Sequence, residues 1–504
     1  MEWRNEEGRF LLNPNTEKTR SERNSTDARN SFDSDRDRII FSSPFRRLQD
    51  KAQVFPLDES DFIRTRLTHS LEVSSIAKSI GISVEKKLID DGYITEKEKG
   101  YIPVILECAG LAHDLGNPPF GHYGEETIKN VFKDLFKNNT EANVLNDLQK
   151  MDFENFDGNC QTIRILTRLQ CLNDKYGLHL TYATLATLMK YPMDSINGNK
   201  SKEEREVLGV AYKKFGYFQS EIEAANHILE QVGTKINDGQ AYRHPLSYLL
   251  EAADDIAYSA ADLEDGFKKK VINISDIKEV FKEDKEDKED KEDKEVIKTL
   301  NMYEAENQYK SEERTIQRFR IYLQGEMIKA VIETFIEKQD KILKGEFKDE
   351  ILMESSAKSI REKLKYIANE KILSNEDIYK VELAGEAAIK YLLTFFIDAL
   401  GNKKNFINRI IDANGDFDKI ELDGRTNRIY NIISKDYRMV YEKRVLEILK
   451  YINEDENLEY GDKNKKIYSE ILYNTYLLIT DYISGMTDNY SIELYRRLKG
   501  IKIN

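Results

Sequence analysis

Helix-breaking residues are scarce in this chain. Eight prolines and 25 glycines among 504 residues leave long stretches with nothing to interrupt a regular backbone. Leu, Ile, Glu, Lys and Ala are abundant and alternating strand patterns are sparse, so the expected class is mainly α. Cysteine is scarcer still: Cys108, Cys160 and Cys171 stand at unrelated spacings, which excludes a disulfide framework and a zinc pattern and points to a reducing compartment. Long apolar runs are missing. Stretches such as 391–396 fall far short of the roughly 20 residues a membrane helix needs, and the opening MEWRNEEGRF carries no apolar signal core. The expectation is a soluble, cytoplasmic protein with no membrane partner. Positive charge is in deficit as well, 77 Lys and Arg against 91 Asp and Glu for a net −14. That argues against a broad nucleic-acid-binding face, which needs clustered cations, but leaves room for a small basic pocket. Neither a GxGxxG fingerprint nor a GxxxxGK phosphate loop is present.

What is present is a core and a series of periodic segments. Apolar residues make up 40% of the chain, enough for a real core, and the length suits one elaborated domain with a helical extension. Residues 14–38 are polar and charge-rich and read as irregular or loosely docked. Order is expected from Ile39, with Pro44 placed near a helix start. Residues 66–90 predict an amphipathic helix, because Leu67, Leu71, Val73, Ile76, Ile80 and Val84 recur near the 3.6-residue period. Residues 103–115 predict a second, more buried helix, ended by Gly116 and Pro118-Pro119. Residues 194–206 read as an exposed loop and 246–268 as a third periodic helix. The tandem repeat KEDKEDKEDKEDKE at 282–295 reads as a solvated or partly helical charged insertion. Beyond it, segments 319–338, 379–399, 427–451 and 466–484 each predict a helix.

The tetrad His113-Asp114-Leu115-Gly116 opens the run HDLGNPPFGHYGE and follows the apolar segment 102–112. An adjacent imidazole and carboxylate at a helix end are both ligands for a hard or borderline divalent cation. His69 and Asp254 lie on the first and third predicted helices, and the set H…HD…D is the signature of a metal-dependent phosphohydrolase. A lone helical histidine is usually a packing residue and an Asp-Asp pair is usually at the surface. Here each candidate is flanked by apolar residues, and such groups are costly to bury unless paired or metal-bound. A His2Asp2 set also leaves coordination positions open for catalysis. On the third helix Asp254, Tyr258 and Asp262 recur every four residues and share one face, whereas Asp255 points elsewhere. Arg66 sits one turn before His69. Lys190 and the pair Lys213-Lys214 are further candidates for phosphate contacts.

In their order and spacing, five stretches are similar to one family: FRRLQDKAQVFPL (45–57), RTRLTHSLEV (64–73), LAHDLGNPPFGHYGE (111–125), YLLEAADDIAYSAADLED (248–265) and SGMTDNY (484–490). The chain resembles the deoxyguanosine triphosphate triphosphohydrolases (dGTPases) of the HD-domain superfamily. The resemblance implies an HD-domain helical core with helical N- and C-terminal extensions. The expected divisions are an N-terminal segment at 1–65, the HD metallo-phosphohydrolase domain at 66–274, the charged insertion at 275–300 and a C-terminal helical region at 301–504. It implies hydrolysis of dGTP or other dNTPs to the deoxynucleoside and inorganic triphosphate, by water attack on the α-phosphorus, and a role in regulating dNTP pools. By carry-over, His69, His113, Asp114 and Asp254 would hold one divalent cation per subunit, Mg²⁺ or Mn²⁺. His122 and Glu125 would be the catalytic pair. Arg66 would meet the α-phosphate, with Lys190 and Lys214 as further phosphate contacts. Tyr258 would pack on the deoxyribose, Asp262 would accept its 3′-hydroxyl, and Gln53 would read the same side of the sugar. Family members are homo-oligomers, both tetramers and hexamers, so a homo-oligomer is expected, with an effector nucleotide or single-stranded DNA left open as a further partner. The alternatives are an HD-type phosphodiesterase on another nucleotide and a nucleotide-sensing binding protein. The first lacks paired spare histidines among His179, His227 and His244; the second would not need every ligand intact.

Overall fold

The scarcity of helix breakers is matched by a mainly helical chain. This computed structural model describes residues 3, 11–17, 29–57, 60, 62–139, 141–170, 176–282, 291–307, 311–401, 404–455 and 459–501. Cys171, the segment 18–28 and the repeat residues 283–290 lie outside the described residues. Cys108 and Cys160 are buried free thiols. Among the described residues, strand is confined to a small antiparallel hairpin, Lys235–Asn237 against Gln240–Ala241.

Three helices position the site. The His69 helix spans Arg66–Asp90 and starts at a capping box, in which Thr65 accepts from the Thr68 backbone N–H and the Thr68 side chain answers. Val73, Ile80 and Val84 are fully buried on it, Leu67 and Ile76 partly so, and Leu71 is exposed. Two residues from His69 is a rotation of about 200°, so Leu71 faces solvent. Val73 and Ala77, one and two turns on, share the buried face with His69. The His113 helix, Tyr101–Ala112, packs along the His69 helix more extensively than any other pair of elements. Gly110 allows that approach: a Cβ there would lie 2.5 Å from Ser74 Cα. The Asp254 helix spans Pro245–Lys268 with Pro245 in its first turn. His244 caps it, accepting from the Leu246 N–H at 3.3 Å while its Nε2 donates to the Leu11 carbonyl at 2.8 Å. Burial pulls the His244 pKa down to about 4, so this imidazole is a neutral structural cap.

Besides the exposure of Leu71, four expectations of the fold need correction. Residues 31–38 are ordered, within a helix Ser31–Ile40 capped reciprocally by Asn30 and Asp33, with Phe32, Asp35 and Ile39 buried; a cap and a narrow apolar stripe outweigh polar composition. The segment 194–206 is only partly an exposed loop. Asp194 and Ser195 are buried, and Ser201 with Glu204 caps a short helix, Lys202–Leu208. The single helix expected at 427–451 is two, Gly424–Ile432 and Lys435–Glu454, because the chain turns extended at Ile433 and Ser434. The end of the charged repeat is helical, as one of its two readings had it, and begins the helix Lys291–Ala305; it is not wholly solvated, because Asp293 is buried against Lys363 Nζ at 2.6 Å and Ser359 Oγ at 3.1 Å.

Two apolar clusters form the interior. One gathers the three site helices with Glu312–Leu343. The other joins Phe132, Phe136, Phe153 and Phe156 to the long C-terminal helices Glu376–Phe396, Lys435–Glu454 and Tyr460–Ser484. Arg164 ties the helix Tyr460–Ser484 of this second cluster to the segment around Glu221 through a buried ion cluster, 2.7 Å from Asp481 and 2.8 Å from Glu221, with all three side chains less than 10% exposed. Arg164→Leu leaves Asp481 buried without its cation and Glu221 with only Arg168, 4.0 Å away, so a loss of about 3–5 kcal/mol is expected. Urea unfolding checks it; a midpoint equal to the parent's would show that the cluster adds no stability.

Candidate active site

The three helices bring a histidine, a second histidine and a carboxylate to one point. Asp254 Oδ1 lies 3.2 Å from His69 Nε2 and 3.3 Å from His113 Nε2. The two rings meet edge to face with centroids 5.4 Å apart, and one ligand atom from each of His69, His113 and Asp254 falls within 4.8 Å of the others. Asp114 adjoins this trio. Its Oδ1 is 3.4 Å from His113 Nε2 and accepts from Asn117 Nδ2 at 2.7 Å, while its Oδ2 accepts from Arg66 Nη1 at 2.6 Å.

These residues suit a divalent cation. His113 Nδ1 donates to the Gly110 carbonyl at 2.8 Å, so Nε2 is the nitrogen turned towards the carboxylates and the one a cation would take in place of its proton; it is buried with no hydrogen-bond partner. A ring held from behind by a carbonyl and aimed at carboxylates is the usual setting of an imidazole ligand. Burial would push both carboxyls up, but the neighbouring cations prevail. Asp114 is held well below the usual range by His113 and Arg66, and Asp254 by Lys190, 2.8 Å away, and by His113. Both therefore offer charged oxygens. Among the described residues no second cluster of this kind is found.

A second, separate pair stands beside the trio. The helix Gly121–Asn138 starts abruptly after Phe120, whose φ is +60°, and carries His122 and Glu125 in its first turns. His122 Nδ1 donates to Glu125 Oε2 at 3.0 Å, and Glu125 Oε1 accepts from the Gly158 N–H at 2.8 Å. Glycine at 158 leaves room for this arrangement: a Cβ there would lie 2.0 Å from Asn117 Oδ1 and 2.9 Å from Glu125 Oε1 and push both side chains aside. The Glu125 side chain is 4% exposed and the His122 side chain 85%, so a buried carboxylate orients an open imidazole. Against burial, the His122 hydrogen bond and Lys214 hold Glu125 down at about 2. The bond and charge of Glu125 in turn raise the His122 pKa, although burial, Lys214 and Arg66 oppose it.

Both groups open into one cavity of about 630 Å³, within the range of small-molecule sites. Gln53, Arg66, Lys190, Lys214 and Tyr258 also line it. Lys214 pairs with Asp157 and stays above the ordinary lysine range, burial notwithstanding. Asp262 is not brought to the cavity. It is 1% exposed, one turn beyond Tyr258, whose hydroxyl neighbours it; burial and the charge of Asp265 hold its carboxyl well above the usual range. Helical spacing put Tyr258 and Asp262 on one face, but that face slopes into the interior past Tyr258. Asp255 points away from the trio, as expected, yet still lines the cavity, where it meets Arg361 at 3.1 Å; burial pushes it up to about 6 despite that cation. Sequence reasoning missed Asn117, Lys51 and Asp488 as partners of the site, although each lies within a stretch that carried the resemblance.

The comparisons agree with this geometry. The HD domain model matches residues 66–157, which contain His69, His113 and Asp114. The chain is 38% identical over 489 residues to a deoxyguanosinetriphosphate triphosphohydrolase-like protein of Listeria innocua, covering 94% of this chain and 95% of that protein. The chain belongs to the deoxyguanosinetriphosphate triphosphohydrolase-like family. It is 33% identical over 480 residues to a family member from a Synechocystis species, covering 94% of this chain and 95% of that protein. To the deoxyguanosinetriphosphate triphosphohydrolase of Yersinia enterocolitica it is 29% identical over 500 residues, covering 93% of each. As a family member with the HD cluster in place, the chain is an HD-domain phosphohydrolase related to the dGTPases. Among the described residues no helix is long and apolar enough to cross a membrane.

Proposed function

We propose that the chain hydrolyses dGTP, or a closely related dNTP, to the deoxynucleoside and intact inorganic triphosphate, and so regulates dNTP pools. The observation that carries this is the presence in one cavity of two separate devices, a convergent His69–His113–Asp254 cluster with Asp114 beside it and the Glu125-held imidazole of His122. Guanine as the base follows from the name of the Yersinia relative. When bound by His69, His113, Asp114 and Asp254, Mg²⁺ or Mn²⁺ supplies Lewis-acid polarisation of an α-phosphate oxygen.

The chain's own residues do the rest. Triphosphate carries about four negative charges, and Arg66, Lys190 and Lys214 line the cavity as charge-assisted donors for them. Release of the deoxyribose 5′-oxygen as an alkoxide is unfavourable, so a general acid beside it lowers the barrier. His122 suits that role. Its Nδ1 is bound to Glu125, which leaves Nε2 for the substrate, and the bond and charge of Glu125 raise its pKa in favour of the imidazolium. Tyr258 and Gln53 take the sugar side. Gln53 Oε1 is buried without a partner, as an acceptor reserved for a hydroxyl would be. Asp262 acts behind Tyr258, through its hydroxyl. A homo-oligomer, tetramer or hexamer, is the assembly proposed, with the four divisions of the chain as expected from sequence.

Product analysis tests the proposal. The protein is incubated with each dNTP and with GTP, in Mg²⁺ or Mn²⁺, and products are resolved by ion-pair chromatography. Deoxyguanosine with intact triphosphate, chiefly from dGTP, is expected. Monophosphate with pyrophosphate would place the attack at another bond, and no product from any nucleotide would overturn the function.

A further inference from the structure

The loop from which the His122–Glu125 helix springs is gripped from both ends of the chain. Asp488, 2% exposed, accepts from the Ala52 N–H at 2.8 Å with one oxygen and from the Phe120 N–H at 3.0 Å with the other. Ala52 precedes Gln53, and Phe120 is the residue from which the His122 helix springs. Phe120 offers that helix no side-chain cap and sits at positive φ, a conformation that an aromatic residue holds only when its surroundings impose it. The carboxylate of Asp488 therefore does from a distance what the third helical residue of a capping box does locally: it accepts from the N–H of the N-cap residue. Lys51, 3% exposed, runs alongside, donating from Nζ to the Ser484 carbonyl at 2.9 Å and to the Asn117 carbonyl. Arg47 closes the same turn by donating to the Gly485 carbonyl at 3.2 Å and the Tyr437 hydroxyl at 3.0 Å. The connection 484–488, at the end of the helix Tyr460–Ser484, is thus bonded to both loops that face the substrate.

Resting on the function proposed above, we infer that Asp488 is a positioning residue: it sets the imidazole of His122 and the amide of Gln53 in register across the cavity, through the backbones of Phe120 and Ala52. It touches neither the expected metal ligands nor His122 itself. Asparagine has the same shape but only one acceptor, so in Asp488→Asn an amide N–H must face one of the two backbone N–H groups. One grip is lost, the helix start loosens and the His122–Glu125 contact with it. The remaining charges facing His122, Lys214 and Arg66, both oppose protonation, so loosening lowers the His122 pKa.

The full chain is tested with Asp488→Asn, and with Lys51→Met as the second variant should the first fail to fold. Three readouts are taken: kcat and KM on dGTP, Mn²⁺ affinity by calorimetry without substrate, and the titration of His122 by NMR with ¹³C-labelled histidine, assigned through His122→Ala. A kcat lower by about 10–100-fold, the scale of a small misplacement, is expected together with unchanged Mn²⁺ affinity and a His122 pKa shifted towards its ordinary value. A His122 titration identical to the parent's overturns the inference, whatever happens to kcat, because a merely structural residue would lower stability without moving that pKa. Should the parent yield no deoxyguanosine, the functional proposal falls, while the His122 titration still decides the role of Asp488.

Discussion

A His113→Ala variant is expected to retain no divalent cation and to lose turnover by more than about 100-fold, beyond the range of a merely supporting residue. The size of the effect follows from convergence. His113 Nε2 is 3.3 Å from Asp254 and 3.4 Å from Asp114, so the imidazole is common to both carboxylates. Removing it leaves two carboxylates that Arg66 and Lys190 still hold ionised, with a gap where the imidazole stood. Metal content after gel filtration and the rate of deoxyguanosine release check the prediction together. Full metal content with a parental rate would show that the HD cluster is not the metal centre.

His122→Ala is expected to keep the metal and lose the rate, by roughly 10²–10⁴, the usual contribution of a positioned general acid. The two devices share a cavity but no side chain, which is why their losses separate. The companion Glu125→Gln variant gives the pH dependence. In the parent, the Glu125 carboxylate favours the imidazolium and raises the His122 pKa above its ordinary value. Neutralising position 125 removes that pull, and the pKa falls. If His122 must be protonated, activity is lost as pH rises through its pKa, so the alkaline limb of the kcat profile moves to lower pH in Glu125→Gln. An unmoved limb would remove the pair from the proton transfer, and a metal-free His122→Ala protein would merge two devices that the structure keeps apart.

How much of this was legible beforehand depended on range. The three site helices were read to within a few residues because period and terminators act locally: the apolar repeat marks Arg66–Asp90 and Pro245–Lys268, and Gly116 with Pro118-Pro119 stops the segment bearing the tetrad, while the caps at Thr65 and His244 went unread. Leu71 was misplaced because its spacing from other leucines fits one helical face, while the face actually buried is chosen by the neighbouring helix through Gly110. The helix Ser31–Ile40 was missed because its buried face is only Phe32, Asp35 and Ile39, too narrow to show through charged residues. Asp262 sits behind Tyr258 for the same kind of reason: spacing along a helix states which residues share a face, and only the packing around it states where that face leaves the cavity.

The sequence by itself determined the three site helices to within a few residues, the placement of His113-Asp114 where a helix opens into a loop, and the family to be expected, because each rests on interactions within a few residues or on the residues as written. Only the tertiary structure decided that His69, His113 and Asp254 meet, that His122 stands open while Glu125 is buried, and that Asp488 reaches Phe120 across 368 positions of chain. Burial and convergence are set by groups brought together from distant parts of the chain, and no local pattern records which of them arrive.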